Sequence, residues 1–371
     1  MEVVIVGAGT FGASLAWRLA RAGERVTLVD QFEPGDRRAT SGGETRLMRC
    51  SHGADADYTA MARRARALWR ELESESGEEL MVECGVAWFA HDDDGWDAAS
   101  ARTLAAQGIP VERLDPDEAA RLYPSFRGDD LAFVLLEPEA GALRAQCAVQ
   151  ALARQAQAHG ARLLRGRARP DGAAAVLEDG ARLEADAVVW ACGGWLAGLF
   201  GDLVSLTVTR QELLFVDGGP AWRGVPGWVD YDRAMYGTGD VDGLGVKAAL
   251  DTDGPPLDPD AELVDTPTTE PQVRAYLRDR FPALEHAPLN EARACRYELS
   301  PDSNFIAGPH PDHPAVWLLG GGSGHGFKHG PAMAELIAAA LAGGAPLPER
   351  FALGTRMPAR SLRTAGAGVK R

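Results

Sequence analysis

Residues 1–30 read MEVVIVGAGTFGASLAWRLARAGERVTLVD, and the fold is decided in this stretch. Val3 to Val6 is a short apolar run stopped by glycine, as a buried strand is. Leu15, Ala16, Leu19 and Ala20 recur at helical spacing until Gly23, after which Val26 to Val29 repeats the apolar run and closes on Asp30. The order is strand, helix, strand. Gly7-Ala8-Gly9-Thr10-Phe11-Gly12, a GxGxxG, joins the first strand to the helix. Gly7 permits the tight turn, Gly9 lets the backbone approach a pyrophosphate, and Gly12 lets the helix pack closely. The helix N-terminus, at Thr10 and Phe11, attracts the phosphates. Asp30, 18 residues after Gly12, is placed to bind ribose hydroxyls, which favours FAD or NAD over NADP.

A second strand, loop and helix follow the same order at the far end of the chain. Val316 to Leu319 is a strand, Gly320–Gly330 a glycine-rich loop, and from Pro331 onward Met333, Leu336, Ile337, Ala340 and Leu341 fall on one helical face. Helices are expected at Tyr58 to Glu75, Arg144 to His159 and Glu270 to Arg280, and strands at Ala161 to Leu164, Ala187 to Ala191, 203–216 and 228–250. Glu33 to Asp57 reads as an irregular polar loop. The expected class is α/β in a mixed α+β sense. A discontinuous Rossmann-like dinucleotide-binding domain takes residues 1–80, 145–202 and 290–358, and a mostly antiparallel-sheet substrate domain takes 81–144 and 203–289. Residues 359–371, with Arg360, Arg363, Lys370, Arg371 and no acid, read as a mobile basic tail.

Composition narrows the partners. The chain has 371 residues, 46% of them hydrophobic, enough for a sizeable core. Its formal charge of −15 repels nucleic acid and anionic bilayers on average, so neither is an expected partner. No run of eighteen apolar residues occurs and no leader precedes the first strand, so the expectation is a cytoplasmic protein without membrane contact. Cys50, Cys84, Cys147, Cys192 and Cys295 are odd in number and contain no CxxC, which argues against a disulfide framework or a metal site. Only Lys247, Lys328 and Lys370 among 38 basic residues are lysine, so a lysine marks places where arginine is too large or too rigid.

The remaining motifs are Thr45-Arg46-Leu47-Met48-Arg49 after Ser41-Gly42-Gly43, Tyr236-Gly237 with Gly245-Val246-Lys247, and CRYELSPDSNFIAGPHPDHPAVWLLGGGSGHGFK over 295–328. Together with the N-terminal fingerprint they resemble the monomeric sarcosine oxidase and N-methyltryptophan oxidase branch of the D-amino-acid-oxidase-like flavoproteins, from Met1 to about Pro358. The resemblance implies FAD as cofactor, bound by Gly7, Gly9, Thr10, Phe11, Gly12, Asp30, Ser41, Thr45, Arg46, Gly322, Gly324, His325, Gly326 and Lys328. It also implies a thioether from Cys295 to the flavin. Arg49 and Lys328 would clamp a substrate carboxylate, Arg46 would lie beside the flavin, and Lys247 would activate dioxygen. Tyr236 and Tyr297 would line the amine pocket, although either ring serves equally well as core. His325 is either structural or catalytic. Asp251 stands where sarcosine-type members carry histidine; it either changes the charge of the pocket, favouring a substrate with a further amine, or is a turn residue in Asp251-Thr252-Asp253-Gly254.

The expected reaction is oxidation of an amino acid amine, secondary or N-methyl, with hydride transfer to flavin N5, imine formation, and return of the electrons to O2 as hydrogen peroxide. Two other readings stay open at this point: a flavin-dependent dehydrogenase passing electrons to a partner, and a non-catalytic dinucleotide-binding protein. An NAD-dependent dehydrogenase has no use for the CxY and GHGFK stretches. Substrate side chain and oligomeric state are not encoded in any motif, though the resemblance favours a monomer.

Overall fold

The computed structural model describes residues 1–359 and 361–363. Two sheets carry the architecture. The first has six strands in the order Ile306–Pro309, Val316–Gly320, Ala187–Trp190, Glu2–Val6, Arg25–Asp30 and Arg162–Arg165, all parallel except the first pair. Glu2–Val6 sits in the middle with both neighbours parallel, which is why its residues form an unbroken apolar run rather than an alternating one. The helix Thr10–Arg21 packs on this sheet between Ala145–Ala158 and Gly330–Leu341, burying Leu15, Ala16, Leu19 and Ala20. The mixed α/β class read from the sequence is the observed one.

The second sheet has eight strands: Leu289–Leu299, Thr207–Val216, Val246–Leu250, Met235–Thr238, Gly227–Asp230, Val86–Ala90, Phe133–Glu137 and Glu112–Leu114. Every pairing is antiparallel except Gly227–Asp230 with Val86–Ala90. Leu289–Leu299 lies along nearly the whole of Thr207–Val216, so residues 290–299, grouped by sequence with the dinucleotide-binding domain, are built into this second sheet. Tyr297 pairs with Thr209 and Cys295 with Gln211. The segment 33–57 also departs from a pure loop. Thr45–Met48 forms a strand against Gly141–Arg144, a partner too distant in sequence for local pattern to reveal.

Of the basic segment 359–371, Ser361 and Arg363 are buried, so this part is docked rather than solvated; Arg360, Lys370 and Arg371 lie outside the described residues. Among the described residues no helix is long and apolar enough to cross a membrane.

Gly12 shows how tightly the nucleotide turn is drawn. A Cβ on it would stand 1.8 Å from the Gly7 carbonyl oxygen. Gly12 is inside a helix, where alanine normally gains about 1 kcal/mol over glycine. Gly12→Ala is therefore expected to invert that rule and lower stability by about 2 kcal/mol or more through overpacking. Thermal unfolding against wild type measures it, and a stabilised variant would disprove the close approach.

Candidate active site

Two adjoining groups of residues form the site. The first lines a cavity of about 460 Å³. Its wall is built from Gly7, Gly9, Thr10 and Phe11 at the first turn, Asp30 at the end of Arg25–Asp30, Ser41 and Arg46 from the following segment, and Tyr297, Gly322, Gly324 and Gly326 from the far end of the chain. The sequence thus scattered these positions over some 320 residues and the fold gathers them. Gly12, Thr45, Cys295, His325 and Lys328 stand outside the wall.

The contacts around this cavity are specific. Asp30 accepts from Ala8 N at 2.6 Å and from Phe32 N at 2.7 Å, so its carboxylate braces the glycine turn as well as facing the cavity. Burial raises its pKa, opposed by those two amides. Ser41 Oγ accepts from Thr10 N at 2.9 Å, and Thr10 Oγ1 donates to the Phe327 carbonyl at 3.1 Å, which ties the two glycine loops together. Arg46 donates to the carbonyls of Thr40, Gly42 and Thr45 and lies 5.8 Å from the Phe327 ring.

One wall residue was missed from the sequence. Glu298 is buried; its Oε1 accepts from Gly322 N at 3.0 Å, and its Oε2 has no partner among the described residues. Burial pushes its pKa up to about 7. The signal was there in the strand period: Glu298 alternates with Cys295 and Tyr297 and so carries an acid on the opposite, buried face. These residues fit a bound dinucleotide. Gly7 and Gly9 line the cavity at the turn before the helix, Gly7 in a left-handed conformation drawn close against Ala191, and the orphaned Glu298 oxygen can accept from a hydroxyl.

The second group stands where the two sheets meet. Lys247 belongs to Val246–Leu250, between Phe215 and Thr238, and is only 2% exposed. Its Nζ donates to Thr45 O at 3.0 Å and lies 5.6 Å from the Tyr236 ring centroid. Burial, then Arg46, lowers its pKa to about 7. Lys328, also 2% exposed, donates to His325 O at 3.1 Å, and burial with Arg49 nearby drives its pKa far down. Arg49 donates to Ser51 O, lies 4.9 Å from the Trp88 ring, and is lowered to about 10 by burial. Glu137 holds the turn that follows Arg49, accepting from Cys50 N, Ser51 N, Ser51 Oγ and Trp88 Nε1.

Tyr236 and Tyr297 join the two groups. Their hydroxyls are 3.3 Å apart, and Tyr297 Oη donates to Asp251 Oδ1 at 3.3 Å. Asp251 is buried and ion-paired with Arg363, a partner no motif announced. Cys295 lies near enough to Arg46 and Lys247 for both to oppose the burial that pushes its thiol upward. His325 Nε2 donates to Ser303 O at 2.8 Å, and its ring stacks on Phe305 within a buried aromatic cluster containing Tyr58, His52 and His329. Its place is that of a packed, neutral ring, since burial and Lys328 hold its pKa far below the ordinary value. The ligand atoms of His52, His325 and His329 fall within 4.8 Å of one another, but the trio holds no carboxylate and Lys328 and Arg49 repel a cation there.

This geometry can hold a dinucleotide beside a pocket with buried cations on two sides. The profile of the FAD dependent oxidoreductase family, DAO, matches residues 2–340. The chain belongs to that family. It is an FAD-dependent oxidoreductase, so the NAD-dependent and non-catalytic readings fall away. Monomeric sarcosine oxidase of Bacillus sp. (strain B-0618) is 29% identical over 358 residues, covering 91% of this chain and 90% of that protein. N-methyl-L-tryptophan oxidase of Yersinia pestis (strain Pestoides F) is 27% identical over 361 residues, covering 91% and 94%. Among solved structures, NikD, an amino acid oxidase essential for nikkomycin biosynthesis, superposes with a TM-score of 0.79 at 23% identity over 95% of this chain and 97% of that one. L-proline dehydrogenase from P. horikoshii gives 0.81 at 21% identity over 94% and 96%; both likenesses are of fold.

The two buried ionisable groups of the site should leave opposite marks on stability. Lys247 has a folded pKa near 7 against an ordinary 10.5, so its cost is full below pH 7 and fades between about pH 7 and 10.5, where the unfolded chain binds the extra proton. Glu298, near 7 against 4.5, costs nothing below about pH 4.5 and most above pH 7. In cofactor-free protein from a Cys295→Ala background, Lys247→Met should gain stability over its parent most at pH 6 and least at pH 10. Glu298→Gln should gain at pH 8 and little at pH 5. Urea unfolding at these pH values reads both slopes.

Proposed function

We propose that the protein is an FAD-dependent oxidase of amino acid amines, taking a secondary or N-methyl amino acid as electron donor and dioxygen as acceptor. The observation that carries the reading is the burial of three cations, Arg49, Lys328 and Lys247, the last against the Tyr236 ring, whose hydroxyl pairs with that of Tyr297 on the wall of the dinucleotide cavity. Both curated relatives are named as oxidases of N-methylated amino acids or sarcosine, which supports the donor class.

FAD, when bound, supplies two-electron acceptor chemistry for the C–H bond beside the amine. The chain's own residues do the rest. Arg49 and Lys328 bind the substrate carboxylate, and an anion arriving between them restores the protonation that burial opposes. That electrostatic gain holds the amine-bearing carbon in one orientation. Tyr236 and Tyr297 present ring faces and hydroxyls to the amine side and exclude water. Lys247 is a compact cation in a site of low dielectric, where it stabilises negative charge developing on dioxygen. Cys295 anchors the cofactor covalently, with Arg46 and Lys247 opposing the burial that raises its thiol pKa.

Three measurements test the reading. Mixing the anaerobic yellow protein with N-methyl amino acids should bleach it, and Arg49→Ala should raise the KM for that donor by about 100-fold with a smaller fall in kcat. Readmitted air should restore the colour rapidly in wild type and slowly in Lys247→Met. Slow, Lys247-independent recovery would instead identify a dehydrogenase that serves a partner. Denaturation in acid should leave the chromophore on the polypeptide, and Cys295→Ala should release it.

A further inference from the structure

Asp251 follows the strand Val246–Leu250 directly and is nearly out of contact with water. A free carboxylate at this place would draw a cationic group into the amine pocket. It is not free. Arg363 Nη1 donates to both the backbone carbonyl and Oδ1 of Asp251, and Nη2 donates to Asp253 Oδ1. Arg363 is 3% exposed, and its guanidinium carbon lies 5.0 Å from the Tyr297 ring centroid.

The surroundings are shaped to receive this arginine. Gly324, in the glycine loop at φ +75°, has Arg363 Cδ where a side chain would begin: an added Cβ would stand 2.6 Å from it and 3.0 Å from Tyr297 Cε2. Tyr231 Oη donates to Ser361 O at 2.9 Å, and Leu362 packs against two apolar clusters, so the backbone that delivers Arg363 is held on more than one side. On its outer side Arg363 borders a separate cleft of about 590 Å³ together with Thr209, Asp253 and Ser300. The side chain therefore stands between solvent and the Asp251–Tyr297–Tyr236 hydroxyl chain.

We propose that Arg363 is a specificity-determining residue: by closing an ion pair with Asp251 it keeps the substrate pocket free of exposed negative charge, so that amino acids with neutral side chains are accepted and those bearing a second cation are rejected. This rests on the amine-oxidising reading above. The logic is a difference of two fields. With Asp251 held by Arg363, an arriving substrate meets the buried cations Arg49, Lys328 and Lys247 without a free carboxylate at position 251. Remove the guanidinium, and a buried carboxylate is left unpaired beside the pocket; an unpaired buried charge is strongly destabilised and takes up any cation offered.

The test uses the flavin-loaded protein and two donors that differ in one charged group, Nα-methyl-L-norleucine and Nα-methyl-L-lysine. The ratio of their kcat/KM values for anaerobic flavin bleaching is measured in wild type, Arg363→Met, Asp251→Asn and the double variant. Arg363→Met should move the ratio toward the lysine derivative by about tenfold or more, and adding Asp251→Asn should return it to near the wild-type value. Arg363→Lys, which keeps the charge, should hold the wild-type ratio, an outcome that a purely packing role for Arg363 does not give. If Arg363→Met does not accumulate as folded protein, Arg363→Gln carries the same expectation. A ratio that stays within about twofold of wild type in the neutral variants, while both donors still bleach the flavin, overturns the proposal. If neither donor bleaches wild type, the functional reading has failed; affinities of the same two compounds, from perturbation of the flavin absorbance, then decide the role of Arg363 by the same ratio.

Discussion

Positive charge buried without matching negative charge is the constraint around which this site is organised. Lys247, Lys328 and Arg49 each lose nearly all contact with water, and each is met by a backbone carbonyl rather than a carboxylate: Thr45 O, His325 O and Ser51 O. A carbonyl offers a dipole where a desolvated cation needs a charge, and a buried ion costs several kcal/mol unless something repays the lost hydration. All three groups accordingly sit below their ordinary pKa, Lys247 at about 7 and Arg49 at about 10. An anion that enters recovers this energy locally. In the proposed reaction a substrate carboxylate would do so at Arg49 and Lys328, and charge developing on the electron acceptor at Lys247.

Such an arrangement survives only if the surrounding structure cannot relax to hydrate the cations. The antiparallel register of Val246–Leu250 fixes Lys247 between Phe215 and Thr238 in the interior of the eight-stranded sheet. Lys328 is held from behind, where Trp69 Nε1 donates to its carbonyl at 2.8 Å and Thr10 Oγ1 reaches Phe327 O. The glycine loop leading to it contains Ser323 at φ 48°, a left-handed conformation unfavourable for serine. Bonds from Ser323 to Glu298 O, Ser300 and Gly321 O over-determine it. Arg49 depends on Glu137, which gathers four donors from the residues after Arg49 and from Trp88. Lys328 and Arg49 are thus met by carbonyls of their own segments, and Lys247 alone reaches across to another strand, at Thr45.

What could be read from the sequence follows from the range of the interactions involved. The nucleotide turn, the central strands and the helices at 10–21, 145–158 and 270–280 are set by local apolar periodicity and glycine placement, and they appear where the pattern puts them. Lys247 and Lys328 were legible through a compositional contrast, since a chain that otherwise uses arginine keeps lysine at two buried positions. The strand Thr45–Met48 was not legible, because its hydrogen bonds are made to Gly141–Arg144. Residues 290–299 were grouped with the dinucleotide-binding domain for the same reason: Leu289–Leu299 has the length of a strand, but only the Thr207–Val216 pairing says which sheet holds it. Glu298 and Glu137 carry no motif; their roles arise from amides that only the fold brings to them. The family resemblance supplied residue positions, yet it treated the basic segment as separate from the site.

Asp251 shows how such a segment can change the meaning of a residue already in view. Alone, the acid would act on two things at once: on a substrate's charge, and on Lys247, whose protonation it supports through space. Lys247 and Asp251 are four positions apart on the same chain segment, with the strand period turning both toward the same face. In the proposed reaction an unopposed carboxylate would therefore strengthen the Lys247 cation while weakening the positive field offered to a substrate carboxylate. Arg363 separates these effects. Its guanidinium screens Asp251 from the pocket, and the Tyr297 hydroxyl stays in contact with the same Oδ1, so the acid orients a phenol instead of attracting an ammonium. Asp251 and Arg363 cancel, while Asp253, on the other arm of the same guanidinium, is half-exposed and lines the outer cleft. A neutral pair at this position preserves the positive field of the seam, while the two partners still fix geometry that a single neutral side chain would leave loose.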